Sequence, residues 1–160
     1  MPTTKYAHKF VRIGMIKNIY NNIFSITIYL LFTLFLTTPL YAQNLLVHKN
    51  LSISSISQDK LRAIYSMRTR VWSDGTPITV FILNPDSAVH RDFCLKKLEI
   101  FPYQLQRVWD VKVYSGTGQT PINLNSEAEM IRKISKTPGA IGYISDKGVT
   151  DNVKIIDIQK

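Results

Sequence analysis

Two short stretches of the sequence gather residue types that hold small anions. In NPDSAVHRDF, residues Ser87, Ala88, Val89 and Arg91 stand at the expected start of a helix. A helix start presents backbone N–H groups without intrahelical partners, together with the positive end of the helix dipole. Ser87 adds a hydroxyl, and Arg91 adds a forked guanidinium shaped for an oxyanion. On the alternative reading, Ser87 only caps the helix and Arg91 faces water. In SGTGQTP, residues Ser115, Gly116, Thr117 and Gly118 make a glycine-rich loop whose amides could cradle an anion. It lacks the preceding strand and the Lys-Ser/Thr ending of a nucleotide phosphate loop, and a plain loop is the alternative. Arg68 and Arg70 precede Trp72. They either line a basic rim or face water while Trp72 anchors a turn on the core.

Nothing in the sequence spells out catalysis. His48 and His90 are isolated, without the Cys/His/carboxylate spacing of a metal site, so both read as structural or exposed. Ser, His and Asp occur, but none sits in a nucleophile elbow. The expectation is a non-enzymatic domain with no cofactor and no metal. A small hydrolase would need a Ser and a His brought within hydrogen-bond reach, because triads assemble in space. Cys94 is the single cysteine, which excludes an intrachain disulfide. Within HRDFCLKKL, beside Phe93 and Leu98, it reads as a buried structural thiol, with a reactive thiol as the alternative.

The elements that would position these groups are legible from periodicity and punctuation. LLVHK (45–49) reads as a first strand. Ser57 caps a helix over Gln58–Ser66, whose apolar face is Leu61, Ile64 and Tyr65. VWSDGTP is a turn, and ITVFIL (78–83) is a β-branched run suited to a strand covered on both faces. Helices are expected over Ala88–Leu98 and, opened by Pro102, over Pro102–Val113. Ser126 and Glu129 form an S-x-x-E capping box for a helix reaching Lys136. TPGA is a turn into a strand at IGYI, and VKIIDI is a last strand. Proline, glycine and alanine at 138–140 most simply make a tight entry to a buried strand, although small residues also let a ligand approach. Strands alternating with helices predict an α/β layer fold.

Charge and hydropathy divide the chain. Lys5, Lys9, Arg12 and Lys17 precede the uncharged run IFSITIYLLFTLFL, and TTPLYA follows it. This is the pattern of a secretory signal over residues 1–42, with cleavage after Ala42 and with Met15 as an alternative start. An uncleaved anchor helix is the rival reading. Residues 43–160 carry 16 Lys and Arg against 11 Asp and Glu. That moderate positive balance suits small anions or an acidic envelope surface. With no basic run longer than two, nucleic acid is not an expected partner. About 118 residues make one domain with one core, expected in the periplasm or outside the cell and not inserted in the membrane once the signal is cut.

Two segments, ISQDKLRAIYSMRTRVWSDGTPITVFIL and TPGAIGYIS, resemble the phosphate-binding proteins of ABC transporters. That family carries a comparable run from a helix through Trp and Gly-x-Pro-Ile into a strand, and a returning Thr-Pro-Gly-Ala-Ile-Gly-Tyr motif. The resemblance covers nearly all of residues 45–158. It implies a single lobe of a type 2 periplasmic-binding-protein-like fold, with a mixed, mostly parallel central sheet flanked by helices. It implies an oxyanion ligand, phosphate first, held at Ser87 and the helix after it. It also implies an ABC transporter or another envelope protein as partner, or a second copy of the chain covering the site. Two departures stand out. Met67 occupies the position where the family commonly has a helix-stopping glycine, so helix 58–66 is expected to end another way. The 84–91 loop has no glycine where the family loop reads Ser-Gly-Thr. The second departure favours an alternative function, a ligand-free interaction module that keeps the fold.

Overall fold

Gln43–His48 forms strand β1, and its neighbours in space come from the far end of the chain. In this computed structural model the described residues are Phe24, residues 43–145 and residues 152–159. The chain divides into two units, Met1–Leu40 and Tyr41–Lys160, and the sheet belongs to the second. The signal expected over residues 1–42 and its cleavage point fall, Phe24 apart, outside the described residues.

After β1 come β2 (Ser55–Ser57), α1 (Gln58–Tyr65), β3 (Thr79–Leu83) and α2 (Ala88–Phe93), which runs on as a wider π turn over Cys94–Leu98. Then follow α3 (Pro102–Tyr114), β4 (Ile122–Leu124), α4 (Glu127–Ile134), β5 (Ala140–Ser145) and β6 (Val153–Gln159). The strands form one six-stranded sheet in the order β2-β6-β1-β5-β3-β4. β1 runs antiparallel to both β5 and β6, while β3 is parallel to β5 and β4, and β2 is parallel to β6. The parallel pairs are reached through helical crossovers, as parallel pairing requires. The fold is therefore the expected α/β layer arrangement with a mixed, mostly parallel sheet.

Local chemistry explains the helix ends. Ser57 Oγ accepts from the Lys60 amide at the start of α1, and Ser126 Oγ accepts from the Glu129 amide at the start of α4. Glu129 closes its side of the cap on the Asn125 amide, one residue earlier than a strict capping box. Pro102 opens α3, and the Gln104 side chain accepts from the Phe101 amide. The expectation that α1 would avoid a left-handed stop is corrected. Met67 takes the left-handed conformation itself, at φ 58°, and the Arg68 and Thr69 amides both return to the Ala63 carbonyl. Met67 is buried, so packing of its side chain offsets a backbone strain that glycine would not feel.

Alternation along β5 sends Gly142 and Tyr143 to opposite faces of the sheet. A Cβ on Gly142 would lie 2.4 Å from Met130 Sδ and 2.8 Å from Ile134 Cδ1, so α4 rests directly on that face. Tyr143 meets α1 and α2 on the other face. Its ring stacks on Phe93 with centroids 3.9 Å apart, and Tyr65 lies 6.2 Å away. Helices thus flank both sides of the sheet.

The turn 71–77 locks onto the entry to β5. Trp72 is buried, and its Nε1 donates to the Gly139 carbonyl at 2.9 Å. Gly139 has φ 76°, and a Cβ there would fall 2.1 Å from the Pro77 carbonyl oxygen. Only glycine fits. The tight-entry role of residues 138–140 is therefore filled, with Trp72 and Pro77 occupying the space that glycine leaves.

Candidate functional site

β3 runs out of the sheet into the turn Asn84–Ser87, which places the candidate anion residues. The Ser87 amide donates to the Asn84 carbonyl at 2.9 Å, and the Asp86 amide donates to Asn84 Oδ1 at 2.9 Å. Ser87 is extended and its Oγ accepts from the His90 amide at 3.1 Å. Capping uses the hydroxyl only as an acceptor, so its proton remains free to be donated outward. The two readings of Ser87, cap and anion ligand, are compatible. Ala88 and Arg91 are exposed, and Ser87 and Val89 are half-buried. The Val89 carbonyl accepts from Gln43 Nε2 at 3.0 Å, which ties the turn to β1. Of the nearby acids, Asp86 is exposed and Asp92 is paired with Lys96 at 2.7 Å.

A buried polar chain fixes this helix start from behind. Tyr143 Oη accepts from the Leu83 amide at 3.0 Å and lies 2.5 Å from His90 Nδ1. Nδ1 is the one acceptor within reach of the hydroxyl proton among the described hydrogen bonds, which assigns that proton to Nδ1. The imidazole proton then sits on Nε2, which faces Cys94 Sγ at 3.4 Å. His90 is 1% exposed. Burial lowers its pKa and keeps it neutral. Burial likewise pushes the Cys94 thiol up to about 12, which leaves it protonated and unreactive at neutral pH. The reading of Cys94 as a buried structural thiol stands, and His90 proves to be a core histidine. Neither His48 nor His90 is bonded to a serine hydroxyl among the described residues; His48 Nδ1 accepts from the Asn50 amide.

The glycine-rich loop serves another purpose. The amides of Ser115, Gly116, Thr117 and Gly118 donate to the carbonyls of Val111, Val113, Lys112 and Lys112, at 2.9–3.0 Å. Gly116 takes φ 68° to make this possible. The loop is the C-terminal cap of α3, and its N–H groups are not available to cradle an anion. The sequence reading took SGTG as a loop in its own right, whereas the last turn of a helix has carbonyls that must be satisfied.

Arg68 and Arg70 are both exposed. Arg68 Nε donates to Ser66 Oγ at 3.0 Å, and Arg70 Nη1 reaches the Thr117 carbonyl at 3.3 Å. Arg70 also lies on the wall of a cavity of about 450 Å³ at the other end of β3, bounded by Ile64, Met67 and residues 69–71, 77–80 and 119–122. None of Ser87, Ala88, Val89 or Arg91 lines it. The sequence marked Arg70 as a rim residue but gave no sign of the 119–122 wall, which only the pairing of β4 with β3 brings there.

No protein-family model and no curated protein matches the chain. Solved structures do. An ABC-type phosphate transport receptor from Vibrio cholerae is 18% identical over 75% of this chain and 47% of its own, with a TM-score of 0.58. A protein assigned as a phosphate ABC transporter substrate-binding protein, with bound phosphate, from Clostridium perfringens is 19% identical over 74% and 45%, with a TM-score of 0.59. PstS from Borrelia burgdorferi is 20% identical over 75% and 48%, with a TM-score of 0.57. The chain therefore has the fold of these binding proteins, and it spans about half of their length.

Proposed function

We propose that this protein is an exported, non-enzymatic solute-binding-protein-like domain that takes a small oxyanion, phosphate first, at the start of α2. The observation that carries the reading is the placement of Ser87, the Ala88 and Val89 amides and Arg91 in one turn at the end of β3. That turn lies in a fold shared with phosphate-binding proteins. The first-turn amides and the helix dipole favour negative charge, the Ser87 proton is free to be donated, and Arg91 is exposed and one helical turn away. The fixed backbone behind the site, held by His90 and Tyr143, lowers the ordering cost of binding. Ala88 and Arg91 are exposed, so an anion held there meets water, and its affinity would be modest unless a partner or second copy covers it. Delivery to an ABC transporter belongs to the same proposal.

The test is thermal unfolding of the purified protein with phosphate, sulfate or chloride at matched ionic strength. A ligand at 100 times its dissociation constant adds about 2.7 kcal/mol, which raises the midpoint by several degrees in a domain of this size. The expected result is a phosphate-selective rise that disappears in Arg91→Gln. Ser87→Ala should also abolish it, while lowering the unliganded midpoint by loss of the cap, about 1 kcal/mol.

One observation favours a second reading, the interaction module. α3 leaves Tyr103, Val111 and Tyr114 exposed, at 61%, 66% and 90%, an apolar surface suited to an envelope partner or another copy. Absence of any phosphate-selective shift would move the assignment to this reading.

A further inference from the structure

We infer that the cavity at the outer end of β3 is a second ligand site, for a small organic carboxylate with an apolar body. Its volume, about 450 Å³, lies in the range of small-molecule pockets. Its lining has a clear division of chemistry. Ile64, Met67, Val71, Ile78, Val80 and Ile122 supply an apolar surface, Thr69, Thr79, Gln119 and Thr120 add neutral polar groups, and Arg70 is the single charged residue among the lining residues. No acid opposes that guanidinium in the lining, so the charge complementarity calls for an anion. The apolar lining calls for a body that phosphate lacks. Two of the apolar residues are left unusually open: Val71 is 54% exposed and Ile122 is 47% exposed. A ligand seated against them would remove that surface from water.

Arg70 is held for this role without being used up. One nitrogen, Nη1, reaches the Thr117 carbonyl at 3.3 Å, and the other guanidinium donors remain for a carboxylate. The walls come from unrelated parts of the chain, each fixed by its own contacts. Val71 bridges Pro77 across the turn, Ile122 is registered opposite Phe81 by the β3–β4 pairing, and Met67 is held by the stop of α1. The site is independent of the proposed oxyanion site. The two share no residue, and they lie at opposite ends of β3.

The probe is hexanoate, with hexanol and inorganic phosphate as its neutral and non-apolar counterparts, titrated into the purified protein and followed by amide chemical shifts. The expected result is saturable change at the amides of Met67, residues 69–71, Thr79, Val80, Gln119, Thr120 and Ile122 with hexanoate, and clearly weaker binding of the other two at these amides. Arg70→Gln, an exposed position, should weaken hexanoate about tenfold, the loss of a charge-assisted contact. Val71→Ser should weaken it several-fold through the rim alone. Hexanol binding as well as hexanoate, with Arg70→Gln silent, would overturn the inference. So would phosphate saturating the same amides as tightly as hexanoate, or an absence of saturation with hexanoate. Failure of the oxyanion proposal would show instead at Ser87–Arg91 and leave this result unchanged.

Discussion

On one face of the sheet β5 meets α4 at Gly142 with bare backbone, and on the other it offers α1 and α2 a tyrosine. Gly142 lets Met130 and Ile134 come down onto the strand backbone, so that face is defined by shape. Tyr143, the next residue, fills the opposite face with a stacked ring and a hydroxyl that joins the Leu83 amide to His90. That face is defined by hydrogen bonds, and those bonds hold the turn carrying Ser87. The comparison teaches that close packing on bare backbone seats α4 at the middle of β5, whereas a buried polar chain positions the candidate anion site.

The comparison breaks hardest on the shape side. Gly142→Val places its Cβ inside Met130 and Ile134, so α4 must lift, at a cost of about 3 kcal/mol. Urea unfolding measures it, and adding Met130→Ala should recover part of the loss if shape is the cause. A full loss that Met130→Ala leaves untouched would break the account.

A smaller effect sharpens the polar side. Tyr143→Phe keeps the ring stack but strands the Leu83 amide and His90 Nδ1 in the core, at a cost of about 2 kcal/mol. Tyr65→Phe is the control. The Tyr65 hydroxyl is buried without a hydrogen-bond partner among the described residues, so its removal should not destabilise the fold and should raise stability by up to about 1 kcal/mol, the relieved desolvation cost. Equal effects of the two substitutions would show that the hydroxyl chain contributes nothing.

The smallest effect is in pH. Burial holds the folded-state pKa of His90 below its ordinary 6.5, so below that value the unfolded chain binds a proton that the folded chain resists. The contribution is fully present above pH 6.5 and is lost as pH falls from there towards the folded pKa, with a slope of at most about 1.4 kcal/mol per unit. The groups facing the ring, Tyr143 and Cys94, stay neutral across this range, both being shifted upward by burial. Midpoints measured from pH 7.5 to 5 should fall more steeply in the native chain than in His90→Gln; parallel curves would remove His90 as the cause.

Much of the molecule could be read before folding it. The helices over residues 58–65, 102–114 and 127–134 follow from serine caps, Pro102 and apolar spacing, all local signals. The two segments that carry the family resemblance proved to be one structural unit, because the Trp72 indole and the Pro77 carbonyl both close on Gly139. Sequence comparison noted each half, but nothing in either half said that they touch. β2 and β4 escaped notice. Each is three residues long at a sheet edge, too short to show a period of two. Ser87, Ala88, Val89 and Arg91 were found correctly as one turn, since a cap and its first turn are contiguous in the chain. The misreading of 115–118 came from judging a glycine-rich loop by composition, when its amides answer to the helix before it.

The sequence by itself determined the α/β class, the helix starts, the single buried thiol and the turn at 84–91, because caps, periodicity and burial preferences act over a few residues. Tertiary structure alone decided three things: that His90 is locked to Tyr143 across 53 residues, that Met67 can bear a left-handed stop, and that Arg70 meets the 119–122 wall in a cavity. Each depends on two distant segments being in register, and register in a sheet is set by the whole set of strand pairings rather than by any stretch of residues within it.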